Sequence, residues 1–154
     1  MGNLNGRFNE LYLTSTTGLA ATTATGDTTL FNLTGSIRVI ALLGVVKTTA
    51  MDAAQTRLKL IAVADALAAV DLCAAADVTG DAVGTLFSIT GTLADVLQET
   101  TNGVVIAQAG YIDISITSSG IIKLNNADAA NAGRVFWSLG YIPLAVGARA
   151  QAAF

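Results

Sequence analysis

The apolar residues of this chain come in short runs, and each run meets a turn former before it grows long enough for anything but a strand. The longest strongly apolar stretch, "VIALLGVV" (39–46), has eight residues. A helix that crosses a membrane needs about 20. "DTTLFNLTG" (27–35) reads as a strand closed by Gly35, and "SIRVIALLGVVK" (36–47) follows it. The second run is rich in β-branched residues and apolar on both faces, which predicts a central strand covered on each side. "TRLKLIAV" (56–63) alternates Leu58 and Leu60 against Arg57 and Lys59, the period of a half-buried strand. "TLFSIT" (85–90) is bounded by Gly84 and Gly91, and "NGVVIAQ" (102–108) opens on Asn-Gly, a hairpin dipeptide.

The cleanest alternation lies further on. In "YIDISIT" (111–117), Ile112, Ile114 and Ile116 face one way and Asp113 and Ser115 the other; "SSG" (118–120) turns the chain into "IIKL" (121–124). After "NNADAANAG" (125–133), read as a loop, comes "RVFWSLGYIP" (134–143). Val135, Trp137, Leu139 and Tyr141 share one face there, and Pro143, which cannot donate to a ladder, marks the end or an edge. One segment is ambiguous. "AMDAAQTRLKLIAVADALAAVDLCAAA" (50–76) is rich in Ala and Leu and helix-prone by propensity, so a strand first and at most a short helix near 65–76 is the expectation. The whole predicts an all-β fold, a sandwich or barrel-like single domain of short antiparallel strands over 27–154. Residues 1–26 form an N-terminal arm or a terminal strand, with Phe8, Leu11, Tyr12 and Leu13 as its apolar contacts.

Charge is scarce. Asp, Glu, Lys and Arg make up 12% of the 154 residues and apolar types 53%, against about 25% charged in ordinary soluble domains. No run is long enough for a membrane helix, and "MGNLNGRFNE" lacks the apolar core of a signal peptide. An apolar chain of this kind is expected to hide surface against partner subunits, since obligate interfaces resemble a domain core cut in half. The net charge of −3, with eight basic residues scattered along the chain, argues against a nucleic-acid surface, which needs clustered Lys and Arg.

The inventory for chemistry is thin. There is no His, which removes imidazole acid–base catalysis and His-ligated metals. The single Cys73 can build neither an internal disulfide nor a structural zinc site, and its setting "DLCAAA" reads as a small buried hydrophobe. Phosphate-cradling glycine motifs are absent. Asp71, Asp77 and Asp81 sit near turns, where short carboxylates bond nearby backbone N–H groups; a Ca²⁺ site or acid–base pair is the rival reading, without EF-hand spacing. No catalytic residue, cofactor-binding residue or metal ligand is assigned, and no cofactor is expected. Trp137 and Tyr141, four apart on one face, fit sheet core or a subunit interface, with a carbohydrate-stacking platform as the alternative. Phe8, Leu11, Tyr12, Trp137 and Tyr141 are the candidate interface residues.

"LFNLTGSIRVIALLGVVKT", "TRLKLIA", "DLCAAADVTGDAVGTLFSITGTL" and "GRVFWSLGYIPLAVGA" occur in that order. Together they resemble a family of small tailed-bacteriophage virion proteins over residues 28–148. The shared features are an F-x-x-T-G start, a D-L-C-A-A…D-x-x-G-D-A-x-G-T block and a terminal strand ending Y-x-P-L-x-x-G-A. The resemblance implies a non-enzymatic structural component of the particle, made in the host cytoplasm and placed on the capsid surface. The first reading is a cement (decoration) protein that associates with itself, as a trimer, and bridges major capsid protein subunits, with no nucleic-acid or membrane partner. A tail or neck component is the alternative within structural proteins, and a host-glycan-binding module is the alternative outside them.

Overall fold

The computed structural model describes residues 12–15, 20–21, 26–51, 58–65, 67–100, 112, 114–126 and 133–154. Twelve strands follow one another along the chain: β1 (Tyr12–Ser15), β2 (Ala20–Ala21), β3 (Gly26–Thr34), β4 (Ile37–Val46), β5 (Leu58–Ala64), β6 (Val70–Asp71), β7 (Leu86–Ser88), β8 (Gln98–Thr100), β9 (Ile114–Ile116), β10 (Gly120–Asn126), β11 (Arg134–Pro143) and β12 (Arg149–Ala152). They form two sheets. One has seven strands along the path β1-β11-β4-β7-β8, with β2 on β11 and β9 on β4; the other has five, in the order β12-β3-β10-β5-β6. All strand pairings are antiparallel. The fold is all-β and sandwich-like, and no described residue is helical. In the ambiguous segment, residues 67–76 hold β6, bends and a bridge from Ala74 to Val96. Its Ala-rich helix propensity loses to pairing with β5.

The core lies between the sheets. Phe31, Leu60, Ile122 and Leu124 come from the five-stranded sheet, and Ile37, Leu42, Phe87, Trp137 and Leu139 from the seven-stranded one. Two bulges set which residues reach it. The register of β3 on β10 shifts between Ile122 and Lys123, which leaves Leu30 without an opposite residue. Leu30 and Phe31, neighbours in sequence, are therefore both fully buried. On β4 the shift falls opposite Gly140 and Tyr141 and leaves Ile40 over, so Ile40 and Ala41 are both only half-buried.

Several expectations need correction. β4 is central, flanked by β11 on one side and β7 and β9 on the other, but it is not covered on both sides. Its burial alternates, with Arg38, Leu43 and Val45 half-buried on the face away from the core. Asn125 and Asn126, read as the start of a loop, continue β10 in register with Asp27 and Gly26. The readings at 102–108, Asp113, Arg57 and the Leu58 side chain lie outside the described residues. Within 1–26, Tyr12–Ser15 form a strand in register with Tyr141–Ser138 of β11.

Candidate interaction surface

Directly opposite residues of an antiparallel pair share a face, so the registers sort the outward side chains of each sheet. On the five-stranded sheet that face carries Asp27, Lys59, Asp71, Lys123 and Arg149. Lys59 pairs with Asp71 at 2.7 Å, and Lys123 pairs with Asp27, whose other oxygen accepts from Asn125 Nδ2 at 2.6 Å. These partners hold the Asp27 carboxyl below its ordinary value, the Lys123 hydrogen bond first and that of Asn125 second. Ile61, Val63 and Ile121 lie among the charges.

The seven-stranded sheet differs in chemistry. Its outward face carries Leu43 and Val45 on β4, Phe136 and Ile142 on β11, and Leu86 on β7. Leu13 of β1 stands opposite Gly140 and joins them, with Ile40 also over that glycine. Among the described positions of this face the only charged residues are Arg38 and Arg134, and none is a carboxylate. Leu13 is 76% exposed. The two outer surfaces thus divide into one laced with ion pairs and one on which, among the described residues, apolar side chains lie among serines and other uncharged polar groups with two arginines.

Trp137 and Tyr141 are not on that surface. They are 0% and 4% exposed, so their place is the core, and neither can stack on a sugar or a partner in the folded subunit. Trp137 lies over Gly44, which stands opposite it in register and has Phe87 opposite on its other side. The Trp137 and Phe87 rings stack with centroids 6.3 Å apart. Tyr12 is partly exposed on edge strand β1 and stacks on Tyr141 at 5.7 Å. Phe8 and Leu11 lie outside the described residues. Leu43, Val45, Phe136 and Ile142 were legible as strand residues, but not as surface. Seeing that needed the second sheet, which fixes the side of β4 and β11 that faces the core.

The three aspartates take different partners. Asp71 belongs to the Lys59 ion pair. Asp77 accepts from the Thr79 N–H at 3.0 Å, the local turn bond expected of a short carboxylate. Asp81 lies beside Glu99, and its carboxyl is pushed up to about 7 by burial first and by the Glu99 hydrogen bond second. Among the described residues no group of three or more His, Cys, Asp or Glu is placed to hold a metal ion. Cys73 is buried, with burial raising its thiol to about 11 and the Leu60 N–H donating to Sγ at 3.4 Å. A depression of about 390 Å³ opens beside Asn32, Asp65, Leu67 and Ser119. Ser119 is already engaged there, its Oγ accepting from Gly35 N–H and its carbonyl from Asp65 N–H. No described helix is long and apolar enough to cross a membrane. Comparison with protein-family models, curated proteins and solved structures returned no match.

Proposed function

We propose that this is a non-enzymatic virion structural protein, a capsid cement protein that associates with copies of itself and bridges major capsid protein subunits. The carrying observation is the division between the two outer surfaces. Leu13, Leu43, Val45, Leu86, Phe136 and Ile142 lie on one, while the ion pairs lie on the other. Apolar area removed from water contributes about 25 cal/mol per Å², so contact is favoured on the seven-stranded sheet, and the charged face suits solvent. The residue pattern over 28–148 that resembles phage virion proteins supplies the setting.

In such a role, binding free energy comes from several modest interfaces per copy. Once one subunit of an oligomer is tethered, each further contact is effectively intramolecular, and avidity replaces individual affinity. A ligand that binds only the assembled shell stabilises that shell by mass action. Particles stripped of the protein are expected to keep their shape but release DNA at a lower temperature, and adding it back restores resistance. Stripped particles that withstand heating as well as complete ones would overturn the cement role, and the tail or neck reading would then lead.

A further inference from the structure

The depression of about 390 Å³ lies on the outer face of the five-stranded sheet, where β5 ends and β10 begins. Its floor is one row of the ladder: Asn32 on β3 stands opposite Ile121 on β10, and Ile121 opposite Val63 on β5. Neighbouring strands lie about 4.8 Å apart, so Asn32 and Val63 are roughly 10 Å from each other with Ile121 between them. Gly120 comes next along β10, and a Cβ there would strike the backbone carbonyl of Val63, so no side chain fills the hollow from that position. Leu67 lines the same hollow and is 60% exposed. The polar groups are unequally engaged. Ser119 is occupied, its Oγ accepting from the Gly35 N–H at 2.9 Å and its carbonyl from the Asp65 N–H at 2.7 Å. The second bond fixes the Asp65 backbone beside the hollow. The Asp65 carboxylate is exposed and is the one charged group in the lining, and among the described residues no cation or donor reaches it. Elsewhere on this face Asp27 and Asp71 are each held by a lysine.

We propose that this depression docks a lysine side chain of another protein, namely the shell protein that the subunit bridges; the identity of that occupant rests on the reading above. Lysine joins a flexible apolar stem to a compact ammonium with three donors. The hollow offers the matching sequence of groups. The Asn32 amide suits the partner's backbone, Ile121, Val63 and Leu67 cover the stem, and Asp65 accepts from the ammonium. Apolar surface leaves water along the stem while the charge stays at the rim. Other occupants fit less well. An anion meets Asp65 and no cation, and a wholly apolar side chain would desolvate that carboxylate without pairing it. Among the described residues no aromatic ring lines the hollow, which leaves neither a stacking platform for a sugar nor a face for a guanidinium.

The site is tested on the intact protein with lysine blocked as its acetyl and methylamide derivative, followed by amide NMR. Shifts at Leu67, Gly120 and Ile121 are expected to saturate together, and the same probe acetylated at Nζ to bind about two- to fivefold more weakly. Asp65→Asn, a change at an exposed side chain, removes that difference. Shifts scattered over the surface, or a preference for the charged probe that survives in Asp65→Asn, overturn the site with no particle involved. The occupant is tested by adding the protein back to stripped particles whose lysines have been acetylated. The unaltered protein should bind these at least about threefold more weakly than untreated particles, and Asp65→Asn should bind both alike. Equal binding of the unaltered protein to the two overturns the lysine. Failure to bind even untreated particles defeats the cement role, and the assigned occupant with it, while the site stands or falls on the titration alone.

Discussion

At Gly44 a missing side chain decides how the largest side chain of the core is seated. A Cβ at this position would lie 2.8 Å from Trp137 Cζ3 and 2.9 Å from Cε3 and Cη2. Those atoms belong to a ring that is fully buried and has no flexible end to give way. The indole lies on the bare backbone of β4, as aromatic residues do when they cover a strand glycine, and Phe87 closes over the other side. Gly44→Ala is therefore expected to cost about 1–3 kcal/mol, the usual penalty of overpacking, read as a lower midpoint in urea. Trp137→Leu creates room at the same spot, so Gly44→Ala added to it should cost less than it does alone. A double-mutant cycle with no coupling would show that the ring is held by something other than this glycine.

Among the elements, the pairing of β3 with β10 shows both what was legible in the sequence and what was not. Alternation in "DTTLFNLTG" and "IIKL" located the two strands, because a half-buried sheet imposes period two on each of them. The bulge at Leu30 was invisible, since it depends on the partner strand skipping a residue, and two adjacent apolar residues read equally well as noise in the alternation. The end of β10 was misplaced for a related reason. Asn125 and Asn126 look like turn residues, but Asn125 finds its partner in Asp27, 98 positions away. The same holds at β11, where the shared face of Val135, Trp137, Leu139 and Tyr141 was readable, while its direction, core or interface, required the second sheet. The Asp27 cluster also makes an acid-side prediction. Its carboxyl is held below the ordinary value by Lys123 and Asn125, so its contribution is present above the ordinary carboxylate range and is lost as pH falls through the lowered value. Asp27 and Lys123 are partly exposed, which keeps the effect at about 0.2–1 kcal/mol. Asp27→Asn should lower neutral stability by that amount and flatten the acid limb, so that the difference from the unaltered protein vanishes at low pH. An acid limb of unaltered slope would mean that another carboxylate governs it.

For the whole molecule, what matters is that a sandwich has two outer surfaces and that this one treats them differently. A chain with 12% charged residues cannot cover both with ions. Among the described residues it places Asp27, Lys59, Asp71, Lys123 and Arg149 on the outer face of one sheet and two arginines on that of the other. If the apolar side is where copies meet, a single charge at its middle should prevent assembly and spare the fold. Leu43 is the position to use. It is half-buried, points away from the core, and has Ser138 opposite on one neighbouring strand and Ser88 on the other. A lysine there can lay its methylenes over the small serines and keep its ammonium in water. Burying that ammonium in an apolar contact without a partner costs several kcal/mol. Leu43→Lys is therefore expected to sediment as a monomer with a near-wild-type melting temperature, while Asn32→Lys, an equal charge on the opposite sheet, keeps the oligomer. Should Leu43→Lys sediment as the unaltered protein does, or should Asn32→Lys be the variant that dissociates, the apolar sheet is not the surface through which the copies associate.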